Sequence, residues 1–319
     1  VEVPNYIGLT AFSLASTIPF SESYGFILKV RRRDIDMVSY VTAHEVAHQW
    51  WNHQVIPADV QGATLISETL SQYSALMVME KMSGAAEVRH FLEFELDQYL
   101  DGRSREQVAE MPLLLVENQP YIHYNRGALI MYALKDYVGE EAINRALRRF
   151  LEATAFQGPP YANSLQLLDY LREEVPAEMQ YLIEDMFETI TLFDGRVTEA
   201  RYRRLDDGTY RVTLRGTARK LRADGQGMET EIPIADWIDV GVFGEEGVLF
   251  LEKLRITKPD VCFEVLVDGL PMEAGIDPYN MLIDRVANDN RMSVSEMPDS
   301  GEAQRSRSEP DLNRRISPC

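Results

Sequence analysis

The sequence predicts an α+β protein in which a mainly helical domain is followed by a small β-sandwich. Residues 34 to about 190 carry apolar residues at helical spacing. From Phe193 onward the pattern changes to short runs rich in β-branched and aromatic residues, separated by turn pairs such as Asp207-Gly208. The 319 residues suffice for two domains, and 45 % hydrophobic with 26 % charged residues is typical of globular proteins. We predict domains at residues 1–192 and 193–287, with a tail at 288–319.

In the first domain, residues 1 to about 30 are expected to be extended, with turns at Pro4-Asn5 and Pro19. Acidic Asp34 and Asp36 are suited to the start of a helix, whose apolar spacing continues to Trp50. Further helices are predicted at Ala63–Met82, Glu87–Leu100, Arg126–Val138, Glu140–Ala153, Ser164–Glu174 and Ala177–Thr189.

In the second domain, six short strands separated by turns at Asp194-Gly195, Asp207-Gly208, Asp224-Gly225 and Gly244 favour a sandwich of about 85 to 95 residues. The strands are expected at Val197–Arg204, Thr209–Ala218, Glu229–Ile234, Trp237–Phe243, Val248–Ile256 and Val261–Val267. The tail from about Asn288 is rich in Ser, Arg, Glu and Pro, which predicts disorder.

Composition argues against several classes of function. The net charge of −19 is unsuited to nucleic-acid binding or to an anionic membrane surface. Of the two cysteines, Cys319 ends the polar tail, so we expect no structural disulfide with Cys262. The sequence has neither a run of about 18 apolar residues nor a signal peptide. Because the chain begins at Val1 without a methionine, we expect a soluble fragment or a processed chain.

The most informative segment reads H-E-V-A-H from His44 to His48, followed after nineteen residues by Glu68. On a helix, His44 and His48 lie one turn apart on the same face and can bind one metal ion. Glu45 lies between them and can reach a water on that ion, a known metalloprotease pattern. Two imidazoles and one carboxylate leave a fourth position open, as a hydrolytic zinc site requires. We therefore predict one zinc ion at His44, His48 and Glu68.

The pattern H-E-x-x-H also occurs by chance, and alone it would fit a surface helix with a salt-linked glutamate equally well. The downstream Glu68, on a helical segment of its own, favours the metal site.

These residues resemble the zinc aminopeptidases of the aminopeptidase N and leukotriene-hydrolase type, which are gluzincins. The family pattern is H-E-x-x-H, eighteen residues, then Glu within N-E-G-F-A-x-Y; here the sequence S-E-T-L-S-Q-Y keeps Glu68 and Tyr73. The spacer is one residue longer, which a loop insertion between Asn52 and Ala63 could absorb, and Asn52 replaces a glycine of the family. The resemblance implies a thermolysin-like catalytic domain, whose N-terminal sheet we expect to be truncated in this chain.

Two further family motifs occur in the expected order. The family strand G-x-M-E-N-x-G supplies a glutamate that binds the substrate's free amine, and S-E-S-Y-G at residues 21–25 places Glu22 there. The family motif Y-x-K-G supplies a tyrosine that stabilises the oxyanion, and Y-N-R-G at residues 124–127 places Tyr124 there, with Arg126 for lysine. The resemblance therefore implies Glu45 as general base, Tyr124 as oxyanion stabiliser and Glu22 as the amine-binding residue.

Longer sequence segments, such as P-F-S-E-S-Y-G-F and A-G-I-D-P-Y-N-M-L-I-D-R, resemble the peptidase part of large bacterial membrane proteins that carry an ABC-transporter permease-like region. This resemblance covers nearly all of residues 1 to 290. It implies a full-length protein held in the bacterial cell membrane by an N-terminal region absent from this chain.

Residues near these motifs have alternative interpretations. Arg126 could pair with a substrate carboxylate, but an exposed arginine at a helix start is the simpler interpretation. His123 neighbours Tyr124 and could line the pocket, whereas His53 and His90 are expected on the surface.

Three functions fit the sequence. The first is a zinc aminopeptidase acting on peptides. The second is a non-catalytic, zinc-bound domain that binds peptides or regulates a membrane transporter, favoured by the longer spacer and by the divergent motif around Glu22. The third is a zinc hydrolase of non-peptide substrates. Glu45 and Tyr124 favour an enzyme over a binding domain.

Overall fold

The computed structural model describes residues 1–5, 10–31, 34–297 and 316–319. It divides into two compact units. Unit 1 comprises Val1–Thr191 and Ala223–Met228, and unit 2 comprises Leu192–Arg222 and Glu229–Cys319. No helix in the described part of the chain combines the length and apolar character needed to cross a bilayer.

Unit 1 is mainly helical. Its elements are β1 (Glu2–Val3), β2 (Phe20–Ser21), α1 (Met37–Ala47), α2 (Leu70–Ser83), α3 (Ala85–Arg105), α4 (Gly127–Val138), α5 (Glu140–Thr154), α6 (Ser164–Glu174) and α7 (Tyr181–Ile183). Wide π-helical turns occur at Ser23–Ile27, Leu65–Thr69, Tyr121–Arg126 and Glu184–Glu188, and 3₁₀ turns at Leu113–Leu115 and Ala177–Met179. The short strands β1 and β2 pair in parallel.

Helix α2 is central to this unit and packs against α1, α3 and α4. Its inward side chains, including Leu70, Leu76 and Met79, are at most 1 % exposed. Helix α4 is buried from Gly127 to Leu134, as its uninterrupted apolar run requires. At the α4–α5 junction Gly139 has a φ of 91°, a left-handed conformation that glycine adopts without steric cost.

Unit 2 consists of strands in two sheets. The strands are β3 (Ile190–Arg204), β4 (Tyr210–Ala223), β5 (Glu229–Ile232), β6 (Asp236–Gly244), β7 (Gly247–Ile256), β8 (Asp260–Val267), β9 (Glu273–Ile276), β10 (Arg291–Ser293), β11 (Ser295–Glu296) and β12 (Ile316–Pro318), with a 3₁₀ turn at Ala287–Asp289. One sheet has the order β10-β9-β6-β7 and the other β11-β3-β4-β8-β12, with β5 beside β4.

The two sheets contact each other, as in a sandwich. Ile276 of β9 lies 2.7 Å from the point where a Cβ on Gly216 of β4 would stand. Core residues come from both sheets, for example Val212 on β4 and Val240 on β6, each with no exposed surface.

Three predictions for this region were wrong. Asp194-Gly195 is not a turn but part of β3. The predicted disordered tail contains β10 and β11, and β12 pairs antiparallel with β8; residues 298–315 lie outside the described residues. Cys262 and Cys319 form a disulfide with a Cα–Cα distance of 5.4 Å. The pairing was missed because it depends on β12 adding to the edge of β8.

Candidate metal centre and active site

Helix α1 and the residue after it carry the two histidines. Asp36 caps its start by accepting hydrogen bonds from the Ser39 backbone N–H at 3.0 Å and from the Ser39 hydroxyl at 2.7 Å. His44 lies in the last turn, and His48 follows the helix, its backbone N–H still bonded to the His44 carbonyl at 3.2 Å. Both imidazoles are buried, with ring centroids 4.6 Å apart.

The third candidate ligand, Glu68, lies in the π-helical turn Leu65–Thr69 that leads into α2. Its Oε2 lies 3.4 Å from His44 Nε2 and 3.3 Å from His48 Nε2. Zinc bonds of about 2.1 Å at tetrahedral angles place neighbouring ligand atoms about 3.4 Å apart. The spacing of these three residues therefore fits one zinc ion.

Hydrogen bonds also prepare His48 for this role. Its Nδ1 lies 3.1 Å from the Trp51 carbonyl oxygen and 3.0 Å from Ser71 Oγ. With a proton on Nδ1 donated to the Trp51 carbonyl, Nε2 can direct its lone pair at a metal ion once it has lost its own proton, the arrangement usual for metal-binding histidines.

The charges of this cluster act strongly on one another. Burial alone would raise the pKa of Glu68, but the hydrogen bonds from His44 and His48 hold it well below its usual range. Burial lowers the pKa of His48, whereas the bond and charge of Glu68 raise it, and the net change is upward. A carboxylate that stays ionised is the form that binds a cation.

Glu45 projects into the same buried region. The residue is 6 % exposed, and its buried Oε2 has no hydrogen-bond partner among the residues that the structure describes. Burial raises its pKa, opposed by the nearby His44 and His48. An unpartnered carboxylate oxygen beside the ligand set is what a general base for a bound water requires.

Tyr124 completes the cluster from the π-helical turn Tyr121–Arg126, with its ring centroid 5.6 Å from that of His44. Burial raises the pKa of Tyr124, and the charge of Glu68 and a hydrogen bond to it raise it further. The hydroxyl therefore keeps its proton at neutral pH and can donate it in a hydrogen bond.

The π-helical turns Leu65–Thr69 and Tyr121–Arg126 are in direct contact. The Thr69 hydroxyl donates to the His123 carbonyl at 2.6 Å. A Cβ on Gly127 would stand 2.4 Å from Thr69 Oγ1, so only glycine permits this approach. The His123 ring packs edge-on against Tyr124 at 4.4 Å, and burial lowers the pKa of His123 to about 4, which keeps it neutral.

The structure thus brings together His44, His48, Glu68, Glu45 and Tyr124. Glu22 is exposed just before the turn Ser23–Ile27, which contacts α1, and its role in binding an amine stays a prediction.

The surface interpretation of Arg126 was wrong. It has no exposed surface, donates to the Thr189 carbonyl at 2.6 Å and lies 3.9 Å from Glu110. Sequence reasoning also missed Ser71 and Glu95. The sequence feature that points to Glu95 is the position of this charged residue in the apolar stripe of α3, between Phe91 and Tyr99.

A sequence model described as "Peptidase family M1 domain" matches residues 27–189, just over half of the chain. Human endoplasmic reticulum aminopeptidase 2 is 27 % identical over 126 residues, which cover 38 % of this chain and 13 % of that protein.

Solved structures similar to this chain include an M1 zinc metallopeptidase from Deinococcus radiodurans, at 23 % identity and a TM-score of 0.43. A mutant from the same organism, bound to a Tyr-Ser-Ala substrate, has 21 % identity and a TM-score of 0.44. Each match covers 58 % of this chain and 38 % of the other.

Proposed function

This chain belongs to peptidase family M1, and we propose that it hydrolyses peptide bonds with one zinc ion, removing residues from the N-termini of peptides. The observation that supports this most is the spacing of 3.3 and 3.4 Å between Glu68 Oε2 and the two imidazole nitrogens. The unpartnered Oε2 of Glu45 lies on the same helix as the first histidine.

When held by His44, His48 and Glu68, zinc would lower the pKa of a water toward about 7 and polarise the scissile carbonyl. Glu45 Oε2 would accept the proton that the attacking water loses. Glu45 then delivers the proton to the amine nitrogen as the C–N bond breaks. Tyr124 donates a hydrogen bond to the oxygen that becomes negative, a contribution of about 3 kcal/mol in comparable sites.

Glu22 binds the α-ammonium group of the substrate in this proposal, which would restrict the enzyme to free N-termini. The contact between α1 and the turn Ser23–Ile27, which directly follows Glu22, supports a place near the histidine helix.

The peptide substrate is thus part of the proposal, as is the junction of the full-length protein to a permease-like region in a bacterial membrane. The connection to a membrane region is inferred from the resemblance of short sequence segments.

The test is hydrolysis of a panel of aminoacyl-fluorophores by zinc-loaded protein. We expect turnover of substrates with a free amine, no turnover of N-blocked ones, and a loss of at least about 100-fold in Glu45→Gln. The variant must retain one equivalent of zinc.

Zinc binding without turnover of any substrate would favour the peptide-binding or regulatory domain. Turnover of blocked peptides or of non-peptide esters alone would favour an endopeptidase or another zinc hydrolase.

A further inference from the structure

Glu95, in the middle of α3, is a fully buried carboxylate that the chemistry above does not use. Its Oε1 accepts hydrogen bonds from the Tyr40 hydroxyl at 2.5 Å and the Gln72 amide at 2.7 Å. Its Oε2 accepts a hydrogen bond from the Asn125 amide at 2.5 Å. All three donors are uncharged side chains.

These donors come from the three segments that carry the site, and each lies next to a site residue or one helical turn from it. The pairs are Tyr40 with His44, Gln72 with Glu68, and Asn125 with Tyr124. One side chain on α3 therefore connects the histidine helix, the segment that supplies the carboxylate ligand and the turn that supplies the tyrosine.

Burying a carboxylate is costly, and burial raises the pKa of Glu95, while its three hydrogen bonds and the charge of His44 lower it. A fully satisfied buried network of this kind fixes the arrangement of the elements it joins. An apolar residue would be the easier occupant of a position between Phe91 and Tyr99 if it only had to fill the core.

We propose that Glu95 is a positioning residue that sets the distances among His44, Glu68 and Tyr124. The proposal rests on the zinc site proposed above. It assigns Tyr40 and Gln72 to the geometry of the metal ligands, and Asn125 to the placement of the tyrosine hydroxyl.

The decisive variant is Glu95→Leu, which keeps the volume of the side chain and removes all three acceptor contacts. We expect zinc affinity, measured by chelator competition on the full chain, to fall about 10- to 100-fold. Glu95→Gln should retain most of the zinc affinity. If the Asn125 amide rotates by about 180°, the glutamine oxygen accepts from Tyr40 and Gln72 and its NH₂ group donates to the Asn125 oxygen.

The matched control is Glu80→Leu. Glu80 also accepts a tyrosine hydroxyl, from Tyr132 at 3.1 Å, and an amine, from Lys135 at 2.6 Å, so it joins α2 to α4. Its loss should lower the melting temperature while leaving zinc affinity within about twofold of the wild type.

Variants of individual hydrogen-bond partners of Glu95 distinguish a positioning role from a contribution to folding stability alone. Tyr40→Phe should weaken zinc binding through His44. Asn125→Ala should lower kcat about 10- to 100-fold through Tyr124, with KM and zinc affinity little changed. These two variants also decide the matter if Glu95→Leu does not fold.

Equal zinc affinity of wild type and folded Glu95→Leu would overturn the proposal, as would an equal loss in Glu80→Leu. If Glu95→Leu does not fold, the proposal is overturned when neither single variant shifts its own readout. A wild-type chain that binds no zinc would instead refute the zinc site itself, and with it the proposed function.

Discussion

Gly127→Ala should damage the site without touching any residue that binds metal or substrate. Gly127 ends the Y-N-R-G motif at the point where α4 passes the turn carrying Glu68. An added methyl group would stand 2.4 Å from Thr69 Oγ1, 2.6 Å from its Cγ2 and 2.9 Å from its Cβ. The backbone of one turn must therefore move by about 1 Å to restore ordinary contact distances.

The magnitude follows from two contributions. Overpacking a close contact costs about 1–3 kcal/mol. The bond from the Thr69 hydroxyl to the His123 carbonyl, 2.6 Å long, is lost in the same movement and contributes about 1 kcal/mol. We expect the free energy of unfolding to fall by about 2–4 kcal/mol. A 1 Å shift of Tyr124 relative to Glu68 should lower kcat about 100-fold.

Urea unfolding and kcat would be measured for Gly127→Ala, Thr69→Gly and the double variant. Thr69→Gly removes all three clashing atoms, so the double variant should recover part of the stability lost in Gly127→Ala, with a coupling energy of at least about 1 kcal/mol. Additive effects, or wild-type activity in Gly127→Ala, would refute the close approach of the two turns as the reason for this glycine.

Three further predictions concern other parts of the chain. Asn52 has a φ of 151°, so Asn52→Gly should raise the free energy of unfolding by about 1 kcal/mol, and a lowered melting temperature would contradict this. Cys319→Ser opens a loop between cysteines 57 positions apart and should destabilise unit 2 by about 4 kcal/mol in urea unfolding; fully reduced wild type should match it. Burial raises the pKa of Asp277 to about 7, with Asp239 and Asp284 adding to the shift. Between about pH 4 and 7 the folded state therefore keeps a proton that the unfolded state has lost. The contribution of Asp277 to the free energy of unfolding is fully present below about pH 4 and is lost as the pH rises through 7. The destabilisation caused by Asp277→Asn should therefore shrink from pH 4 to 7, and growth across that interval would contradict the assignment.

Local signals predicted most helices of unit 1, but the helix predicted at Ala177–Thr189 is divided into a 3₁₀ turn at Ala177–Met179, the short α7 and a π-helical turn at Glu184–Glu188. The helix predicted at Ser164–Glu174 has those bounds in the structure, because Asn163 and Gln166 form a capping box. The helix predicted at Glu140–Ala153 ends one residue later, at Thr154. Such ends depend on neighbours within four residues, which a sequence displays directly.

Long-range contacts overrode local signals elsewhere. Asp194-Gly195 has the chemistry of a turn, yet the Asp284 carboxylate accepts the Gly195 N–H at 2.7 Å and holds the segment extended. The Phe193 N–H likewise bonds to the Ile283 carbonyl at 2.9 Å. Partners about 90 residues away are invisible to a turn signal.

The candidate site shows the same division. The four-residue spacing of His44 and His48 was sufficient to predict their proximity, because a helix fixes it. The role of Glu95 was not predictable, since its partners Tyr40, Gln72 and Asn125 lie 55, 23 and 30 residues away in sequence. Only the folded arrangement of α1, α2, α3 and the turn Tyr121–Arg126 makes them neighbours.

The buried charges explain why this arrangement suits a cation. Glu45, Glu68 and Glu95 are three carboxylates of one buried region, and burial by itself raises the pKa of each. For Glu68 the imidazoles reverse that effect, but Glu45 and Glu95 remain shifted upward. A divalent ion among His44, His48 and Glu68 would offset this excess of negative charge and leave Glu45 ionised more readily, the state that a general base must have. Glu68, whose burial is unfavourable without a cation, would therefore help to bind the ion, and Glu45 would act on a water beside it.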